Sequence, residues 1–212
     1  MKFLIIPIFY IYIVDIISIF ISKRLLKQKV TDNTRWFFIH SITNLAISIC
    51  ALPDLYIFLK EPVNIYKYYW TDSSYYTFWF CTILHIYHVL FFKLTNDDII
   101  HHVLMCGMSG PMCYYNNNKL SICGIFFLSG LPGFIDYFLL FLVKINIVSS
   151  IYEKRIYVNL STWLRTPGCC IVSYMGIYNG PRYYYQQDYI NLFCTIFISF
   201  STFWNGQYYM KH

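Results

Sequence analysis

The chain has 212 residues, of which 58% are hydrophobic and 22% aromatic, whereas only 12% are charged. Soluble domains carry about 25% charged residues, so this composition excludes an ordinary soluble domain and indicates a membrane protein. The net charge of +6 does not indicate a nucleic-acid partner, because the basic residues lie in short clusters between apolar runs, where they are expected to set membrane orientation.

The chain begins with a long apolar run, FLIIPIFYIYIVDIISIFIS, at 3–22. This run is longer than the core of a signal peptide, and no small-residue cleavage site stands before the basic stretch KRLLKQK. We therefore expect the run to be a retained membrane anchor.

Apolar runs of similar length recur along the rest of the chain, and a spanning helix needs about 20 such residues. The runs are separated by residues that commonly end helices, namely Gly, Pro, Asn and charged residues. The pattern predicts an all-α, polytopic transmembrane bundle with these seven spans: 3–22, 36–59, 75–93, 98–115, 120–143, 156–178 and 189–209. No loop is long enough for a second domain, so we expect one domain over 1–212, with 1–34 as the first span and a basic loop.

Basic residues flank the predicted spans unequally. One side carries ten: Lys23, Arg24, Lys27, Lys29, Arg35, Lys93, Lys144, Lys154, Arg155 and Lys211. The other carries five: Lys2, Lys60, Lys67, Lys119 and Arg182. The side with more basic residues is expected to be cytosolic, which predicts a lumenal or exterior N-terminus and a cytosolic C-terminus.

Polar residues inside the predicted spans gather toward the cytosolic side. The segment NDDIIHHVLM at 96–105 places His101 and His102 about one helical turn into the fourth span. Six further ionisable residues share this half of the bilayer, the last two somewhat deeper: His40, His85, His88, Asp136, Asp15 and Arg165. Helices of alternating direction would scatter randomly placed residues over depth, so we expect one polar chamber that opens to the cytosol, with Asp54 outside it.

Helical spacing indicates which faces point into this chamber. His40, Asn44 and Ser48 recur at every fourth residue, and His85 and His88 are three residues apart, so each set shares one helix face. A charged group that faces lipid at a helix centre costs about 3 kcal/mol, so such faces are expected to point inward.

Some of these residues also have a purely structural interpretation. Asp97 and Asp98 are expected to cap the fourth helix, and Asp136 and Arg165 fit a structural ion pair as well as they fit ligand binding. For His101 and His102 we favour a functional role, because adjacent side chains project about 100° apart and one ring can orient the other.

The segment DDIIHHVLM resembles the paired-histidine segment of the TLC domain family, membrane proteins that include the ceramide synthases. Four further stretches are similar to this family in the same order: RWFFIHSITNLAISICALPDLYIFLKEP, GLPGFIDYFLLFLVK, NLSTWLRTPG and WNGQYYMKH. The resemblance covers 35–212 and implies a TLC-type bundle that acts on or senses lipids in an endoplasmic-reticulum-like membrane.

In the synthase branch of that family, the histidine pair and nearby aspartates are implicated in acyl transfer from acyl-CoA to a sphingoid base. The resemblance therefore implies catalytic roles for His101, His102 and Asp136, with acyl-CoA as a co-substrate and no bound cofactor or metal. Two positions differ from the synthase pattern: Met105 replaces a threonine, and Gly133 replaces a second aspartate. These differences favour the broader, non-synthase part of the family.

Three functions remain open. The first is lipid acyl transfer, in which a neutral histidine takes a proton from an amine or hydroxyl. The second is a non-catalytic lipid binder or regulator of membrane lipid composition, in which Arg165 pairs with a phosphate or carboxylate of the lipid. The other lipid-binding residues would then be His40, Asn44, His85 and His88. The third is a metal-dependent hydrolase or oxygenase. It is ranked last because di-iron lipid oxygenases generally carry more histidine motifs than the six scattered histidines of this chain can form.

Overall fold

A computed structural model describes residues 2–21, 23 and 31–211, with side chains described as far as residue 208. Seven continuous helical segments follow one another along this part of the chain: α1 Lys2–Phe20, α2 Asp32–Lys60, α3 Asp72–Phe91, α4 96–116, α5 Lys119–Lys144, α6 150–185 and α7 Tyr189–Lys211. A 3-10 helix, Pro62–Lys67, connects α2 to α3. The described residues contain no strand beyond an isolated bridge between Tyr69 and Asn118, which confirms the all-α prediction.

The seven segments lie where the sequence predicts spans. Three of them, α1, α2 and α5, are long and apolar enough to cross a membrane by length and composition. Ser22 and the basic-loop residues Arg24, Lys27 and Lys29 lie outside the described residues. The number of spans and their orientation stay predictions.

The helices α4, α5 and α6 each contain a π-helical stretch in their interior: Val103–Ser109, Phe126–Gly130 and Ser161–Arg165. Each stretch is followed within two residues by a proline: Pro111, Pro132 and Pro167. A proline cannot donate to the carbonyl four residues earlier, and its ring presses against that carbonyl. The wider π turn accommodates this missing bond while the helix continues.

Helix α2 lies at the centre of the bundle and packs against α1, α3 and α5, whereas α6 packs along α7. The core between α1, α2 and α3 is formed by Ile11, Val14, Ile39, Ile83 and Leu84. A second core cluster, nearer the C-terminal end of α2, contains Ala51, Trp70, Phe78, Cys113, Ile122 and Phe126. The inward face of α2 contains His40, Asn44 and Ser48, all buried, as the spacing predicts.

Ion pairs join the helices near both ends of α2, partly buried at the N-terminal end and fully buried at the C-terminal end. Near its N-terminus, Arg35 makes a two-point contact with Asp15 of α1, and Tyr87 of α3 donates to the same carboxylate at 2.5 Å. Near its C-terminus, Asp54 contacts Lys119 of α5. These contacts fix the relative rotation of the helices, because a carboxylate in an apolar interior is stable only when it faces a group of opposite charge.

Candidate functional site

Four histidines from α3 and α4 meet in the interior; we call them the histidine cluster: His85, His88, His101 and His102. The Nε2 atoms of His85 and His101 lie 3.1 Å apart. The Nδ1 atom of His88 lies 2.9 Å from Nε2 of His102. Each helix therefore contributes two rings, and each ring of one helix is hydrogen bonded to a ring of the other.

The local sequence brings these rings together. Helix α3 ends at Phe91 and α4 begins at Asn96, so the histidines lie in the last turns of one helix and the first turns of the next. The start of α4 is fixed by a capping box in which Thr95 N–H donates to Asp98 and Asp98 N–H donates to Thr95 Oγ1. The predicted capping role of Asp98 is confirmed.

The hydrogen bonds determine which nitrogens carry protons in the pair of His85 and His101. His85 Nδ1 lies 2.7 Å from the carbonyl oxygen of Cys81, so Nδ1 carries the hydrogen and donates it. In a neutral ring Nε2 of His85 is then an acceptor, and His101 donates to it from its own Nε2. Neutral His101 consequently carries its lone pair on Nδ1.

His102 has a nitrogen without a hydrogen-bond partner. The residue is 8% exposed, its Nε2 is bonded to His88, and its Nδ1 is buried with no partner among the described residues. When His102 donates from Nε2, a bare lone pair remains at Nδ1 in the interior. A buried polar atom of this kind points to a ligand or to strain.

Aromatic rings connect the histidine cluster to His40. Trp36 stacks on His88 with ring centroids 3.9 Å apart, and its edge meets His40 at 4.8 Å. His40 is in turn stacked on Tyr137 at 3.7 Å and bonded through Nδ1 to the amide of Asn44 at 2.8 Å. The predicted residues His40 and Asn44 are thus adjacent to the cluster, but aromatic contacts, rather than hydrogen bonds, link them to it.

Asp136 and Arg165 form a separate pair between α5 and α6. The guanidinium Nη2 lies 3.8 Å from Oδ2 of Asp136, and both side chains are buried. Among the described residues Asp136 makes no hydrogen bond to a histidine, although its neighbour Tyr137 stacks on His40. The geometry matches the structural ion pair considered from the sequence, and the catalytic role of Asp136 stays a prediction.

Gly133 lies at the contact between α5 and α2 and allows the two helices to pack closely. A Cβ atom added at Gly133 would lie 2.5 Å from Nδ2 of Asn44, which is fully buried. Any side chain at position 133 would therefore displace the amide that holds His40. The close packing of α5 on α2 therefore requires glycine at position 133.

Sequence reasoning missed the partners of two buried carboxylates. It assigned Arg35 and Lys119 to flanks that set orientation, whereas Arg35 binds Asp15 and Lys119 binds Asp54. The signal was present, because an aspartate within an apolar span requires a buried partner. The sequence alone did not indicate which basic residue would supply it.

The buried imidazoles are able to accept protons, to bind a polar head group and to ligate a metal ion. The ion pair of Asp136 and Arg165 adds a charged contact near Tyr137. No protein-family model, curated protein or solved structure matches this chain.

Proposed function

We propose that the chain is an integral membrane protein of TLC type that acts on lipids at its paired histidines. It crosses an endoplasmic-reticulum-like membrane seven times, with a lumenal N-terminus and a cytosolic C-terminus. The resemblance over 35–212, the seven helical segments and the excess of basic residues on one side support this proposal.

The outer surface of the bundle also supports a membrane location. Large apolar and aromatic side chains point outward along most helices, for example Phe9 at 62% exposure, Trp163 at 78% and Phe200 at 62%. In water such a surface would drive aggregation, whereas lipid chains solvate it. The histidine cluster and the ion pairs Asp54–Lys119 and Asp136–Arg165 lie inside.

The reaction is acyl transfer from acyl-CoA to a lipid amine or hydroxyl. The acceptor nitrogen or oxygen forms a bond to the thioester carbonyl carbon, and the carbon–sulfur bond breaks. An imidazole takes the proton of the acceptor and delivers it to the sulfur, so the products are an amide or ester and the free thiol of CoA. The observation that supports this step is the lone pair of His101, directed by the hydrogen bonds of Cys81 and His85.

The remaining residues have supporting roles in this proposal. His102 is held by His88, and Trp36 fixes His88 by stacking. Asp136 supports the site electrostatically through its neighbour Tyr137, which stacks on His40. These contacts hold neutral rings in fixed orientations, which a general base requires.

A lipidomic comparison tests the proposal. Cells express, at matched levels, the wild type, a His101→Ala and His102→Ala double variant, and Asp97→Asn as a control on the exposed side of α4. We expect a defined acylated lipid, such as a ceramide, to rise with the wild type and the control but not with the double variant. Equal lipid profiles in all three cell lines would contradict a catalytic role of His101 and His102 in acyl transfer.

The second candidate is a lipid binder or regulator without catalysis. It is favoured by the buried Arg165, whose guanidinium lies beside Asp136 and 5.7 Å from the ring of Tyr157. In this case an anionic head group pairs with Arg165. Lipids that copurify with the wild type and are lost in Arg165→Ala support binding, and an unchanged lipid content contradicts it.

A further inference from the structure

We infer that His85, His101 and His102 form a binding site for one divalent transition-metal ion of the zinc class. One ring nitrogen of each residue lies within 4.8 Å of the corresponding nitrogens of the other two. The inference goes beyond the proposed function, because it concerns a ligand of the cluster and holds whether or not the protein transfers acyl groups.

One of the nitrogen separations already matches that of a coordination shell. Zinc binds imidazole nitrogen at about 2.0 to 2.1 Å in a tetrahedral arrangement, which places neighbouring ligand nitrogens about 3.3 Å apart. The two Nε2 atoms of His85 and His101 are already 3.1 Å apart. Replacing the shared proton by a metal ion therefore needs only a small movement of the two rings.

The other nitrogens of two candidate ligands are held as metal-binding histidines usually are. A ligating histidine generally donates its second ring N–H to a carbonyl or another acceptor, which fixes its orientation. His85 donates from Nδ1 to the carbonyl of Cys81, and Nε2 of His102 is bonded to His88. This leaves Nε2 of His85 and Nδ1 of His102 as the nitrogens for the ion.

The buried Nδ1 of His102 supports the metal site independently of the distances between the rings. It has no hydrogen-bond partner among the described residues, and the residue is more than nine-tenths buried. An unpartnered buried acceptor destabilises the fold, and a metal ion would satisfy it. No such argument applies to His40, whose Nδ1 is bonded to Asn44.

The donor set indicates the class of ion. Three neutral imidazoles suit zinc, copper, iron or nickel, whereas magnesium and calcium require oxygen ligands. Three protein ligands leave a fourth tetrahedral position for water or substrate, as in catalytic zinc sites. An ion would occupy the lone pairs of the cluster, so metal binding and a role of His101 as a base exclude each other in the same molecule.

The test measures metal binding by the full chain in lipid nanodiscs, purified with a tag that contains no histidine. The protein is loaded with zinc, freed of excess ion by gel filtration and analysed by mass spectrometry for zinc per chain. We expect one zinc per wild-type chain. A triple variant with His85→Ala, His101→Ala and His102→Ala should lose it, whereas His40→Gln should retain it.

Two further measurements keep the inference falsifiable if the triple variant folds poorly. Cobalt(II) bound to the wild type should show the visible absorption of a four-coordinate ion with nitrogen ligands. His88→Ala, which removes the hydrogen-bond partner of His102 and keeps all three candidate ligands, should weaken zinc binding by about 10- to 100-fold in a chelator competition. An octahedral cobalt spectrum, or an affinity unaffected by His88→Ala, contradicts the site.

The remaining outcomes separate this inference from the proposed function. Wild type that carries no zinc after loading, or as much zinc as the triple variant, overturns the metal site. Acyl transfer by such metal-free protein would leave the proposed function intact. Conversely, zinc bound to the three histidines in a protein that leaves cellular lipids unchanged would support the site and contradict the acyl-transfer proposal.

Discussion

The ammonium group of Lys119 contacts the carboxylate of Asp54 inside the bundle, where the two residues are 3% and 0% exposed. Ser74 of α3 donates to the second carboxylate oxygen at 2.5 Å. One contact therefore joins α2, α3 and α5. Each charge is tolerated in the interior because the other is present.

Replacing Asp54 by alanine should destabilise the protein strongly. The substitution leaves the Lys119 ammonium buried without its counter-charge, which costs about 3 to 5 kcal/mol. Thermal unfolding in detergent measures the loss, and the double variant Asp54→Ala, Lys119→Met should recover much of it. Asp72→Ala breaks the exposed pair with Lys2 and should leave the midpoint unchanged. Equal midpoints for Asp54→Ala and Asp72→Ala would contradict the buried pair.

Gly133→Ala should disturb the site through Asn44. The added Cβ atom would lie 2.5 Å from the Asn44 amide nitrogen, so the amide has to leave its hydrogen bond with His40. Overpacking of this kind costs about 1 to 3 kcal/mol. The matched control is Gly107→Ala, where an added Cβ atom meets nothing within 4 Å. The unfolding midpoint should fall for Gly133→Ala and not for Gly107→Ala. A similar fall in both variants would mean that the loss comes from replacing a helical glycine and not from the contact with Asn44.

Trp36→Ala should loosen the histidine cluster, whereas Trp36→Phe should be much milder. The indole stacks on His88 at 3.9 Å and contacts His40 by its edge, and a phenyl ring retains part of both contacts. An aromatic pair contributes about 0.5 to 1.5 kcal/mol beyond the burial of its area. Unfolding midpoints of the two variants give the comparison, and an alanine variant as stable as the phenylalanine variant would show that stacking is unimportant.

Cysteine accessibility distinguishes seven spans from three. In a cysteine-free background, Lys93→Cys lies between α3 and α4, and Tyr185→Cys lies at the end of α6. Seven spans place position 93 in the cytosol and position 185 in the lumen, whereas spans formed by α1, α2 and α5 alone reverse both. An impermeant maleimide applied to sealed microsomes should therefore label position 93 and spare position 185.

Two further cysteines control for vesicle integrity in this experiment. Position 69 is lumenal and position 147 is cytosolic in both arrangements, and the side chains of Tyr69 and Ile147 are well exposed. Labelling of position 69 would reveal broken vesicles. Labelling of position 185 without position 93, in intact vesicles, would contradict the seven-span proposal.

The sequence predicts the helical segments well because each depends mainly on its own residues. An apolar run of about 20 residues has to satisfy its backbone hydrogen bonds internally wherever it lies in a membrane. The inward face of α2 could likewise be predicted, since His40, Asn44 and Ser48 share one helical face. Both properties are set by composition and spacing within a single helix.

The pairing of side chains could not be predicted, because it depends on how neighbouring helices rotate and shift. His101 contacts His85, and His102 contacts His88, but a rotation of α4 by one residue would turn each ring by about 100° and break both pairings. For the same reason Arg35 and Lys119 were interpreted as flanking charges. The π turns had a sequence signal in Pro111, Pro132 and Pro167, which interrupt the hydrogen bonding of their helices.

The two hydrogen-bonded histidine pairs are close along the chain, with separations of 16 and 14 residues, whereas Asp54 and Lys119 are 65 residues apart. Contacts of short sequence separation form early, because little chain entropy is lost in closing them. During synthesis the residues of all four rings precede α5, α6 and α7 in the chain. We therefore expect the histidine centre to form early, with the later helices packing around it.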